Sequence, residues 1–135
     1  MADLGDIAGI TDITSIPAHP ATDATQDHIV YVAKRKVSVQ LVAITPSQAI
    51  TGQVTNNFNY NVRSGTSAGV FTERANRDYG SGVDEVAGVR QILYNPTDPG
   101  LELAAGETIS IERELVGTGL ASPHCAVEII TIEAD

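Results

Sequence analysis

From residue 28 to residue 133 the apolar residues alternate with polar ones or run in short β-branched stretches, and no segment holds helical spacing beyond a turn or two. Alternation sends successive side chains to opposite faces, so each such segment buries one row and presents the other outward. Residues 28–33 and 36–45 read as strands on this ground. Residues 56–63 place Phe58, Tyr60 and Val62 on one face and polar residues on the other. Residues 68–74 form a weaker strand, followed by a polar, glycine-containing stretch over 76–85 that is expected to be an exposed loop. Residues 89–94 read as a strand ending at Asn95-Pro96-Thr97-Asp98-Pro99-Gly100, where the chain must reverse or change sheets. Residues 107–116 put Ile109, Ile111 and Leu115 on one face, and residues 126–133 are almost continuously β-prone. Seven or eight short strands with Gly/Pro-rich connections predict an all-β chain, a single antiparallel β-sandwich over residues 27–135 with a jelly roll as the preferred topology.

Residues 1–26 differ. They hold Gly5, Gly9, Pro17 and Pro20 among Thr, Asp and Ala, with no aromatic residue, and are expected to form an extended N-terminal arm. Within it Leu4, Ile7, Ile10, Ile13 and Ile16 recur at every third position, the repeat of a polyproline II or 3₁₀ path, which would give the arm one apolar side suited to strapping a neighbouring subunit. The chain's 135 residues suffice for one domain, and its apolar stretches fall short of the roughly 20 residues that span a bilayer, so neither a membrane helix nor a membrane partner is expected. A net charge of −9 repels phosphate backbones, which argues against a nucleic-acid partner. The Met1-Ala-Asp-Leu-Gly-Asp6 opening has neither the basic start nor the apolar run of a secretory signal, so synthesis in the cytoplasm is expected.

Candidate chemistry is sparse. His19, His28 and His124 are scattered, and His124-Cys125 are adjacent residues that a strand would point apart, so no metal site or cofactor is expected. Asp78, Asp84 and Glu85 flank Gly80-Ser-Gly82 without EF-hand spacing, and read as a solvated acidic loop. Glu112, Glu114 and Glu128 would suit glycoside hydrolysis only if two faced each other across a groove; strand alternation more simply makes them solvent-facing. Gly80-Ser-Gly82 lacks the endings of a phosphate loop or a nucleophile elbow, and no enzymatic activity is expected. Lys34-Arg35-Lys36, the only basic cluster, fits a strand-connecting turn or a contact with an acidic surface.

Two stretches carry a family likeness. Residues 42–63, through Ile50-Thr-Gly52 and Asn57-Phe58, resemble the first half of small β-sandwich virion proteins encoded among tailed-bacteriophage head genes. Residues 103–111, followed by Val116-Gly-Thr-Gly-Leu-Ala-Ser-Pro123, are similar to that family's ending, in which a Gly-Asp/Glu turn precedes a strand and a Gly-Thr-Gly-Leu turn. His124 and Cys125 stand where such sequences often carry two glycines, which puts the local turn geometry in doubt. The resemblance implies a capsid decoration (minor capsid) protein on the outside of the head, a homotrimer that bridges subunits of the major capsid protein. The competing expectation is a tail- or fibre-associated binding module for a host-surface glycan, since jelly rolls also serve as lectins.

Overall fold

The computed structural model describes residues 9–96 and 100–134. Nine strands run β1 (Ile10–Ile16), β2 (Gln26–Val32), β3 (Val37–Pro46), β4 (Asn57–Gly65), β5 (Phe71–Asp78), β6 (Gln91–Tyr94), β7 (Leu101–Leu103), β8 (Thr108–Val116) and β9 (Cys125–Glu133), and the described residues include no helix. All pairings are antiparallel. One sheet has the order β1-β9-β3-β6, with β7 continuing the β6 edge along β3; the other has the order β2-β8-β4-β5. The sheets face each other with β1 beside β2 and β5 beside β6, so the sandwich has two open sides.

The core is what alternation requires. Val39, Val42, Ile44, Phe58, Val62, Ile109, Ile111, Val127 and Ile129 are fully buried between the sheets. Phe58, Tyr60 and Tyr79 pack on one another with ring centroids 4.8 to 5.7 Å apart. Tyr79 is a departure from expectation: within the stretch read as an exposed loop, β5 continues to Asp78 and Tyr79 turns into the core. Its ring completes the aromatic cluster, and that apolar burial outweighs the polar residues around it.

Two motif glycines are fixed by close packing. A Cβ on Gly52 would lie 1.9 Å from the carbonyl oxygen of Gly80. Gly119 has φ +84°, and a Cβ there would lie 1.8 Å from the Ala21 carbonyl oxygen. Ile50-Thr-Gly52 therefore seats the 79–85 segment, and Gly117-Thr-Gly-Leu120 seats the β1–β2 connection.

The segment expected as an arm contains a strand. Residues 10–16 pair with β9 over their whole length, Ile10 opposite Thr131 and Ile16 opposite Cys125, so the period here is two rather than three. Backbone pairing with a strand already in the sheet satisfies the peptide groups that a polyproline II or 3₁₀ path would leave to solvent. The regular sandwich thus begins at Ile10, and burial of Ile16 alone is worth about 1.5–3 kcal/mol. Deleting residues 1–26 is expected to lower the urea midpoint by the equivalent of at least about 2 kcal/mol, rather than to leave an intact sandwich. Equilibrium denaturation followed by circular dichroism checks this, and an unchanged midpoint would contradict β1 as part of the folded unit.

Candidate interaction surfaces

The polar side chains with chemical potential are engaged in holding the fold. Arg113 shares the inward face of β8 with Ile109 and Ile111 and is fully buried. Its guanidinium donates to the carbonyl oxygens of Leu120 (2.7 Å), Asp23 (3.1 Å), Pro20 (3.2 Å) and Ala21 (3.4 Å) and to Ser122 Oγ (2.8 Å), and it sits 5.3 Å from the Phe58 ring centroid. Beside it His19 Nδ1 donates to Asp23 (2.8 Å), and His19 Nε2 meets His28 Nε2 at 2.8 Å. Burial, then the His19 ring, hold His28 below its ordinary pKa of 6.5, opposed by Asp27. Cys125 contacts the Tyr60 hydroxyl and the Pro123 carbonyl; burial pushes its thiol up to about 11, so at neutral pH it is a protonated core residue and not a nucleophile.

Glu85, expected in a solvated loop, is 6% exposed: it accepts both Arg77 nitrogens (2.9 and 3.0 Å) and the Tyr79 hydroxyl (2.8 Å). Asp84 accepts the Gly52 amide at 2.9 Å. These acidic residues close the loop onto the body of the protein, because burying a carboxylate is tolerable only when it is paired in this way. Glu112 and Glu114, expected to face solvent, lie half-buried on the outer face of the β2-β8-β4-β5 sheet. Both accept the Asn61 side-chain amide at 3.0 Å, Glu114 accepts from Asn59, and Glu112 also accepts Arg63 at 2.9 Å. Glu128 lies in the other sheet with Arg90 at 2.6 Å, so the three carboxylates do not share a groove.

Among the described residues nine large hydrophobic side chains are exposed; five lie on the edge strands β1, β2 and β6, and the other four, Val54, Val70, Val86 and Val89, in the connections between strands. Ile10, Ile13, Ile29 and Val32, between 54% and 66% exposed, line the β1/β2 side. Val70, Val86, Val89 and Ile92, between 41% and 65% exposed, flank the β5/β6 side. The β1/β2 side carries a groove of ≈ 480 Å³ between the sheets, walled by Ile10, Ile13, Val30 and Val32 and ending at Lys34 and Arg35. Lys34 and Arg35 occupy the β2–β3 turn, and Arg35 reaches Glu133 at 3.3 Å. Exposed apolar side chains on edge strands are the kind of surface that another chain can cover.

Of the stripe singled out from sequence, Leu4 and Ile7 lie outside the described residues. Ile10 and Ile13 are exposed on the β1/β2 side, while Ile16 is buried against the body of the sandwich. Strand alternation puts Ile13 on the face opposite Ile10 and Ile16, so the three do not form one stripe. Ile29 and Val32 were not singled out, although residues 28–33 are apolar at both parities, which is the mark of a strand apolar on both faces. Arg113 was legible as well, being the one charged residue between Ile111 and Leu115 at the parity of Ile109 and Ile111.

No protein-family model matches the chain, and no curated protein matches its sequence. Among solved structures it is similar to a chain described as "Structure of infectious bursal disease virus Gx strain", with a TM-score of 0.39 and 10% sequence identity over 95% of this chain. This chain spans about a third of that one, 33%.

Arg113→Ala strips the donor from five acceptors at once and is expected to destabilise the fold by about 3–5 kcal/mol, measured by urea denaturation; a loss below about 1 kcal/mol would show that the guanidinium is dispensable. The lowered pKa of His28 has a definite sign: the unfolded chain binds this proton more readily, so its contribution is complete above about pH 6.5 and is lost as pH falls through the lower folded value. Thermal midpoints are expected to drop between pH 7 and pH 5, and His28→Gln is expected to flatten that slope. Equal slopes for the two proteins would rule out the histidine pair as the cause.

Proposed function

We propose that this chain is a viral structural protein, a decoration protein that binds the outer surface of a tailed-bacteriophage head as a homotrimer and stabilises contacts between major capsid protein subunits. The observation that carries the reading is the set of exposed apolar side chains on the edge strands β1, β2 and β6 of a domain whose buried polar clusters are occupied in holding the fold. Such a molecule is built to be covered by neighbours, and many repeated contacts of this size become strong through multivalency.

The strand order supports a jelly roll. Counting β6 and β7 as one interrupted strand, the sheets run first-eighth-third-sixth and second-seventh-fourth-fifth, an arrangement common to viral capsid domains and lectins. Gly52 and Gly119, which lie in the two stretches that carry the sequence resemblance, are positions where a Cβ would strike a neighbouring backbone. A glycan-binding module would share the fold, but this chain has no tryptophan, Phe58, Tyr60 and Tyr79 are in the core, and Tyr31, Phe71 and Tyr94 are half-buried. The reading requires no catalytic residue, cofactor or membrane contact, and an acidic chain is a poor partner for nucleic acid.

Quantitative mass spectrometry of purified virions tests the assignment. The expected result is a copy number comparable to that of the major capsid protein; a handful of copies would move the protein to the tail, and absence would end the virion reading.

A further inference from the structure

We propose that the facing imidazoles of His19 and His28 form an acid-sensitive clasp: the pair fastens the β1–β2 connection to the sandwich, and protonation of both rings releases that connection while the strands stay folded. His19 belongs to the connection and His28 to β2. Their Nε2 atoms lie 2.8 Å apart, and the other ring nitrogen of His19, Nδ1, lies 2.8 Å from the Asp23 carboxylate. His19 is 7% exposed, so its ring bonds are sheltered from water. An ionised carboxylate only accepts, so Nδ1 of His19 carries a proton. In the neutral ring its Nε2 is then a bare acceptor that takes the Nε2–H of His28.

The proton count decides when the clasp holds. With both rings neutral, His28 donates to His19. With one proton added, His19 becomes an imidazolium that donates to Asp23 and to His28, whose neutral Nε2 accepts, so the contact survives with its direction reversed. With two, N–H meets N–H, neither ring can accept, and like charges face each other at hydrogen-bond distance. The surrounding charges do not cancel this. Asp23 is committed to His19. Asp27 on β2 favours the charged His28 ring but is held by Arg63 of β4, which also bonds Glu112, the β8 residue opposite Asp27. Arg113 of β8 adds a positive charge on the same connection, and from the β8–β9 connection His124 lines the same cleft as His19. Burial, then the His19 ring, hold His28 below its ordinary value, so the second proton arrives only under acid conditions.

What lets go is a defined piece. Residues 17–25 meet the 120–122 segment through two backbone bonds, the His19 amide to the Ser122 carbonyl at 2.9 Å and the Ser122 amide to the His19 carbonyl at 3.0 Å. The carbonyls of Pro20, Ala21 and Asp23 on Arg113, and the Leu115 amide on the Thr25 hydroxyl, complete the attachment. β1 stays paired with β9 along seven residues and β2 with β8, so losing the clasp frees the connection and not the strands on either side of it. An open cleft of ≈ 590 Å³ beside His19, walled by Ala18, Pro20, Ser47, Ser122 and Pro123, widens when the connection lifts. Such a local opening costs less than global unfolding because it exposes little of the apolar core. The device belongs to the chain itself and is independent of what the sandwich binds.

Amide exchange of the full chain, followed by NMR and expressed as protection factors so that the intrinsic pH dependence of exchange is divided out, tests the clasp. Between pH 7 and pH 5 the His19 and Ser122 amides are expected to lose at least about tenfold in protection and to fall below the amides of the β3–β9 ladder, since each pH unit beneath the folded pKa of His28 adds about a factor of ten. His28→Gln keeps a donor for the His19 ring without a charge, and is expected to hold the protection of both amides constant to within about twofold over the same range. Unchanged protection in the wild type overturns the inference. So does equal protection of these two amides and the ladder at both pH values, which makes the opening global, or an equal loss in His28→Gln, which assigns it to another group. Should the variant misfold, the wild type decides: the midpoint of the protection loss must coincide with the ring titration of His28, and a mismatch ends the proposal.

Discussion

Arg113 holds together the end of the sandwich where the chain has least regular structure. A guanidinium with no exposure has to spend all its donors on protein acceptors, and here they converge from residues 20–23 and 120–122. The connection from β1 to β2 and that from β8 to β9 are thereby fixed to each other, and with them the entry angle of both edge strands on one open side. No carboxylate bonds the guanidinium directly; Asp23, bonded to His19, supplies negative charge nearby. Carbonyl dipoles and the Phe58 face take up the rest, an arrangement that fixes position more firmly than a single ion pair could.

The strand-rich body of the fold was legible because its residues obey one rule. β4 reads directly from Phe58, Tyr60 and Val62, and β9 from its run of β-branched residues, since in both the side-chain period is the signal. The all-β sandwich followed from these. β1 was not recognised because Ile10, Ile13 and Ile16 suggest a period of three when read alone; its strand character is imposed by the partner β9, a tertiary fact. β7, at three residues, is too short to show any period. Residues 76–85 read as solvent-exposed because Asp, Gly and Ser dominate them, and only the position of Arg77 across from Glu85 converts that composition into a buried ion pair.

The candidate surfaces were legible only in part, for a related reason. Sequence pattern identifies apolar residues but cannot say which of them the fold leaves without a partner. Ile16 and Ile13 belong to the same repeat in the sequence, yet one is buried and the other 66% exposed, because strand alternation places them on opposite faces of β1. The carboxylates behave in the same way. Glu112 and Glu114 alternate outward as expected, and the asparagines of β4 then draw them into a hydrogen-bonded row that stiffens an outer sheet face without making it reactive.

The β1 edge, unpaired among the described residues, has a further consequence in concentrated solution. An exposed edge with isoleucines on it is a template for pairing with another chain, and Asp12 is the one charge within it. With a net charge of −9, each protomer carries a repulsion that acts over about a Debye length and slows encounters in the wrong geometry. The acidity of the chain is then a kinetic brake. It slows encounters between concentrated protomers, and it weakens as salt rises because screening shortens the range of the repulsion.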